Sequence, residues 1–166
     1  AWTGNANSLN NFSINNQMGQ VASNATKAYS GLLGSTVTNA ETVFSGSVSN
    51  FTGSKLGTVQ RWIDNNNWYE AMITGTKLII QKKVNGTLTT LGQISFSSLS
   101  GTSYTLRFNL MGTMLSAKAW QTGTSEPSNW MVTTMDSSLS SGFCGLLLYL
   151  PGGMTAAITA FQATSQ

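Results

Sequence analysis

Short runs of β-forming residues recur about every 8 to 15 positions, with Gly, Asn and Ser between them, and this predicts an all-β sandwich or barrel. Tyr104–Leu110 alternates strictly. Tyr104, Leu106, Phe108 and Leu110 share one face, while Thr105, Arg107 and Asn109 share the other. After Gly112 the pattern resumes, with Leu115, Ala117 and Ala119 inward and Ser116, Lys118 and Trp120 outward. Lys77–Val84 and Thr87–Leu91 flank Asn85-Gly86, the strongest two-residue hairpin signal a sequence offers. Phe143–Leu150 is apolar at almost every position, which predicts a strand covered on both faces. Ala156–Ala163 supplies a last strand. Met18–Leu33 is the most helix-like stretch, but its Gly and Ser residues argue against a helix. The first 40 residues, rich in Asn and Ser, predict loops between short edge strands.

One further hairpin carries the candidate chemistry. Thr58–Ile63 and Trp68–Thr74 flank Asp64-Asn65-Asn66-Asn67, which predicts a four-residue turn. Pairing Ile63 with Trp68 sets Arg61 against Glu70 and Trp62 against Tyr69. Arg61, Ile63, Trp68, Glu70 and Met72 then share an outer face. Gln60, Trp62, Tyr69, Ala71 and Ile73 face the core. On this register Trp68 is the exposed tryptophan and Arg61 pairs with Glu70 at the surface.

Composition narrows the chemistry. The chain has 166 residues, and only 8% are charged. Ordinary soluble domains carry about a quarter. The five acids are Glu41, Asp64, Glu70, Glu126 and Asp136, and there is no histidine. A Ser-His-Asp or Cys-His nucleophile and a His-based zinc site are therefore excluded. The single cysteine, Cys144, cannot form an internal disulfide, and its apolar strand predicts a buried thiol. The net charge is +3, but the one adjacent basic pair is Lys82-Lys83. No basic stripe exists for a phosphate backbone, so nucleic acid is not an expected partner. The longest apolar run, Leu146–Leu150, is far short of the roughly 20 residues that cross a bilayer, and no membrane insertion is expected. Forty-four Ser and Thr, 15 Asn and 17 Gly make almost half of the chain. That balance suits an exported protein, and an extracellular, cell-surface or virion location is expected. The seven Met residues are scattered and read as core filler. Residues 1–166 are expected to form one domain cut from a larger protein, with the other domains of that parent chain as partners.

The order of several segments resembles a known family. These are Arg61…Asn66…Tyr69, Val84-Asn85-Gly86-Thr87…Leu91, Leu106-Arg107-Phe108…Gly112…Leu115 and Ala117-Lys118-Ala119-Trp120. Gly123…Glu126-Pro127…Trp130, Asp136, Ser141-Gly142 and Gly145-Leu146 follow. Together they are similar to the concanavalin A-like lectin/glucanase superfamily, in its laminin-G-like branch of bacterial and phage surface modules, over roughly residues 44 to 163. The resemblance implies a jelly-roll sandwich of two antiparallel sheets, one concave, with glycans bound on the concave face or its rim and calcium in some members. It does not by itself fix the function.

The superfamily's hydrolases place acids as Glu-x-Asp-x-Glu along one strand, and no such pattern exists here. Sugars are held by aromatic faces and planar polar groups. Arg61, Trp68, Glu70, Arg107, Asn109, Lys118 and Trp120 are the candidate ligand-binding residues, forming one polar floor if their strands share the concave sheet. Trp120 and Trp130 are alternatively packing around the Gly123–Pro127 turn. Glu126 and Asp136 are expected to accept backbone hydrogens. No cofactor is expected, although the Asp64–Asn67 loop could offer oxygens to a structural calcium. The expected function is a non-catalytic carbohydrate-binding or adhesion module for a neutral glycan, a polysaccharide or a cell-surface chain. The alternatives are a structural or protein-interaction domain without a sugar site and, third, a glycoside hydrolase of the same fold.

Overall fold

The computed structural model describes residues 3–4 and 10–166. Residues 1–2 and 5–9 lie outside that description, and with them part of the expectation for the first 40 residues. Thirteen strands are present among the described residues: β1 Phe12–Asn15, β2 Met18–Ala22, β3 Lys27–Val37, β4 Ala40–Val48, β5 Lys55–Asp64, β6 Asn67–Ile73 and β7 Lys77–Val84. Then follow β8 Thr87–Ser95, β9 Tyr104–Met111, β10 Met114–Gln121, β11 Val132–Met135, β12 Gly142–Leu150 and β13 Thr155–Ser165. Every pairing is antiparallel. One sheet has the order β1-β2-β13-β4-β9-β10-β11, the other β3-β12-β5-β6-β7-β8, and they form a sandwich.

The core lies between the sheets, where the alternating positions of both converge. Leu106, Phe108, Leu110 and Leu115 from the seven-stranded sheet meet Leu56, Tyr69, Ile73, Leu78, Ile80 and Leu148 from the six-stranded one. The alternation of β9 and β10 is as the sequence indicates, and Asn85-Gly86 turns with both residues left-handed, φ 49° and 80°. β12 is flanked by β3 and β5 and buries leucines on both faces. Among the described residues its second face is covered by side chains of its own sheet. The chain before β4 departs from expectation. β1 and β2 are short and β1 is an edge, but β3 runs for 11 residues and plants Tyr29 in the core. Three of the methionines, Met111, Met114 and Met135, are exposed at adjacent positions of β9, β10 and β11, so methionine is not uniformly core filler.

The β5–β6 hairpin is where the sequence register fails. The turn has two residues, Asn65-Asn66, between paired Asp64 and Asn67. Further along, Gln60 pairs with Tyr69 and Val59 with Glu70, because a bulge falls between Gln60 and Asp64. Arg61 sits in the bulge with φ 48°. β12 bulges beside it, and a Cβ at Gly142 would collide with the Arg61 backbone. The bulge reverses the alternation. Arg61 turns inward and Trp62 turns outward, opposite to expectation.

Arg61 closes that end of the sandwich. Its Nε donates to Thr38 O at 2.9 Å, Nη1 to Leu139 O at 2.6 Å and Nη2 to Gly112 O at 2.7 Å. Burial lowers its pKa from the ordinary value, and three carbonyls stand where a carboxylate was expected. Beside it, Tyr69 OH donates to Asp136 Oδ1 at 2.5 Å and accepts Leu139 N. Lys82 and Ser138 N also donate to Asp136. Burial would raise the Asp136 pKa, but these donors together hold it well below the usual carboxylate range. Burial and the bond to Asp136 push the Tyr69 phenol up to about 12.

Candidate functional site

Two outer faces are left to solvent, and they are chemically different. On the six-stranded sheet, Trp62 and Trp68 stack with ring centroids 6.2 Å apart and planes 7° from parallel. They form a second apolar cluster with Leu32, Val59, Leu147 and Phe143, separate from the main core. Each indole is only 6% exposed. Trp68 is therefore a buried packing residue, which corrects its expected exposure. A hollow of about 220 Å³ opens at this cluster, lined by Ala28, Ser30, Trp62, Asn65, Trp68, Lys83 and Leu147. Lys83 lies opposite Trp68 across β6–β7 and donates to Asn65 O at 3.0 Å. Its ammonium retains further donors for a ligand.

Glu70 lies two residues along β6 on the same face. Gln81, its cross-strand neighbour, donates to Glu70 Oε2 at 2.5 Å. Gly57 makes room on the other side, since a Cβ there would stand 2.6 Å from Glu70 Oε1. The carboxyl is 3% exposed, and burial, only partly offset by Gln81 and Lys55, pushes its pKa up to about 8. The expected Arg61–Glu70 pair does not form, because the bulge carries Arg61 to the end of the sandwich. Lys55 completes the face, over the Tyr149 ring at 5.3 Å.

On the seven-stranded sheet, Arg107 (β9) and Lys118 (β10) are cross-strand partners. Arg107 binds Glu41 through Nη1 and Glu126 through Nε at 2.8 Å. Lys118 Nζ reaches Glu126 at 2.7 Å and Pro127 O at 2.8 Å, and lies 5.0 Å from the Trp130 ring centre. Glu126 thus makes ion pairs instead of accepting backbone hydrogens, and the bond from Lys118 is the main cause of its lowered pKa. The Glu41 pair and the Glu126 pairs raise the Arg107 pKa despite its partial burial. Trp120 is half-buried opposite Thr105, and Asn109 is opposite Ser116.

The expected single floor is therefore divided. Trp68 and Glu70 belong to the six-stranded face, Arg107, Asn109, Lys118 and Trp120 to the seven-stranded one, and Arg61 to neither. Trp62, Lys83 and Asn65 line the hollow and are not among the residues expected from the sequence. The short connection Thr74–Thr76 held the clue for Lys83, since closing it as a hairpin sets Ile73 against Leu78 and Trp68 against Lys83. Asp64 serves its own turn, with Oδ1 accepting Asn66 N at 2.7 Å and Asn67 Nδ2 at 3.0 Å. Among the described residues no three acidic or thiol side chains converge to hold a metal ion. Burial pushes the Cys144 thiol up to about 11, away from thiolate chemistry.

No protein-family model matches the chain, and no curated protein matches it. Solved structures do. The carbohydrate-binding module CBM66 from Bacillus subtilis superposes with a TM-score of 0.76 at 15% identity, over 93% of this chain and 91% of that one. A legume lectin-like domain from Entamoeba histolytica gives 0.68 at 11% identity, over 93% and 87%. The GH43 protein BlXynB from Bacillus licheniformis gives 0.63 at 12% identity, over 90% of this chain but 33% of that one. The chain has the concanavalin A-like, galectin-like jelly-roll fold.

Proposed function

We propose that the protein is a non-catalytic carbohydrate-binding module whose site is the hollow on the six-stranded face. The observation that carries this is a hollow lined by the nearly buried Trp62, Trp68 and Leu147 together with Ser30, Asn65 and Lys83, apolar groups beside donors and acceptors. Such a hollow offers a sugar a small apolar patch beside groups that meet its hydroxyls. The fold shared with a carbohydrate-binding module and a lectin-like domain supports the same reading. A hollow of this size implies weak, reversible binding, as for an adhesion module of a larger exported, cell-surface or virion protein.

Placement of the acids speaks against hydrolysis. A glycosidase needs one protonated carboxyl and one ionised partner across a glycosidic bond. Glu41 and Glu126 stand on either side of one guanidinium, and Glu126 is held ionised. Glu70 is the one acid pushed toward protonation, and it has no second carboxylate within its hydrogen-bonded surroundings. A protein-interaction domain remains the second reading, favoured by the exposed Met111, Met114 and Met135.

The test is a glycan array with wild type and Ala28→Gln, a larger neutral side chain at an exposed wall of the hollow. Binding should fall at least about tenfold in the variant, with the melting temperature unchanged. Equal binding by both proteins would place the site elsewhere, and binding of no glycan would overturn the reading.

A further inference from the structure

The eight basic and five acidic side chains are distributed unequally over the molecule. Arg107 and Lys118 are neutralised by Glu41 and Glu126 on the seven-stranded face. Lys82 turns toward the core edge and is matched by Asp136. Arg61 is enclosed by carbonyls, and Lys27 lies over Tyr29 at the sheet edge. Asp64 accepts only neutral amide donors of its own turn and makes no ion pair among the described residues.

Lys27 has no carboxylate partner among the described residues, and neither have three further lysines, Lys55, Lys77 and Lys83. Those three project from the outer face of the six-stranded sheet, as their cross-strand registers require. Lys55 stands over Tyr149, Lys77 donates to Gln93 and Lys83 donates to a carbonyl. Among the described residues no carboxylate pairs with any of them. Glu70, on the outer side of β6, is sealed between Gln81 and the space above Gly57, and Asp64 lies in the β5–β6 turn. Counting charges over the whole sequence hides this, because the bases that are neutralised and those that are not enter one sum. The low overall share of charged residues points to a neutral polymer. The placement favours a different ligand.

We propose that the six-stranded face selects glycans bearing an anionic substituent, a carboxylate or a sulfate, with Lys83 making the contact at the hollow. This rests on the carbohydrate-binding reading above. Lys83 is placed for it: one N–H is held by Asn65 O, which fixes the ammonium beside the indoles and leaves its other donors for the anion. Lys55 and Lys77 lie toward the other end of the same face and extend the attraction along a chain.

Titration calorimetry at pH 6.5 and low salt tests this with two matched pairs of polymers, polygalacturonate with its methyl ester and dextran sulfate with dextran. Wild type, Lys83→Gln and Lys27→Gln are compared. The two variants lose the same charge, but Lys27 lies away from the hollow. The anionic member of at least one pair should bind about tenfold more tightly to wild type. Lys83→Gln should remove most of that preference and Lys27→Gln should keep it. A preference in one pair alone identifies the anion as carboxylate or as sulfate. Equal affinity within both pairs would overturn the proposal and leave carbohydrate binding intact. Equal losses in the two variants would overturn it too, showing attraction by net charge only. Binding of none of the four polymers, with an empty glycan array, would overturn both readings together.

Discussion

The two outer faces of the sandwich use the same residue types, tryptophan, lysine and glutamate, to opposite effect. On the seven-stranded face Glu126 reaches back from the β10–β11 connection and ties Arg107 and Lys118 together, with Trp130 laid over Lys118. Every charge there has its counter-charge within the face. On the six-stranded face the tryptophans pair with each other, the lysines make no ion pair among the described residues and the glutamate is hidden beside a glutamine. One face is satisfied by its own residues. The other has unmet donors beside a hollow. Residue type alone does not tell a ligand-binding face from a solvated one; the partner of each charged group does.

The largest effect that separates the faces is packing. Trp68→Ala should cost about 3–5 kcal/mol, because it opens the second apolar cluster. Trp130→Ala, at a position 38% exposed, should cost about 1 kcal/mol or less. Chemical denaturation of the two variants measures both. Equal small losses would mean that the Trp62–Trp68 cluster is not a packed unit.

The next contrast is in pH dependence. The folded state holds the Glu70 proton more tightly than the unfolded chain does. Stability should therefore fall as pH rises from about 4.5 to about 8 and level off above that. Glu70→Gln should remove this decline and be the more stable protein at pH 9, on a scale of about 1.4 kcal/mol per unit of pKa shift. Glu126 acts in the reverse sense. Its lowered pKa adds stability above the ordinary glutamate pKa, lost as pH falls through the folded value. Being about a third exposed, its pairs should contribute under about 1 kcal/mol. Melting temperatures across pH 3 to pH 9 for wild type, Glu70→Gln and Glu126→Gln check both signs. A wild-type curve that rises between pH 5 and pH 8 would contradict the burial of Glu70.

Much of the fold is legible because β9, β10 and the Asn85-Gly86 hairpin obey the two-residue period without interruption. The site is not, and the reason is one residue. Arg61 adopts a left-handed backbone that a non-glycine residue rarely takes, and the resulting bulge exchanges the faces of Arg61 and Trp62. No side-chain pattern in Thr58–Ile63 announces it. What fixes it lies about 50 to 80 residues away, in the carbonyls of Gly112 and Leu139 and the close approach of Gly142. Trp68 failed differently. It shares a face with Glu70 as the alternation indicates, but that face carries an apolar cluster of its own, so an outward position is not an exposed one. Likewise, Arg107 and Glu70 cannot be assigned to different sheets from strand patterns alone, since both sheets alternate in the same way.

The most direct measurement is an indole N–H correlation spectrum during titration with a glycan that binds. The account predicts that the Trp62 and Trp68 signals shift with ligand while those of Trp120 and Trp130 stay in place. Shifts confined to Trp120 and Trp130 would put the site on the seven-stranded face and contradict it.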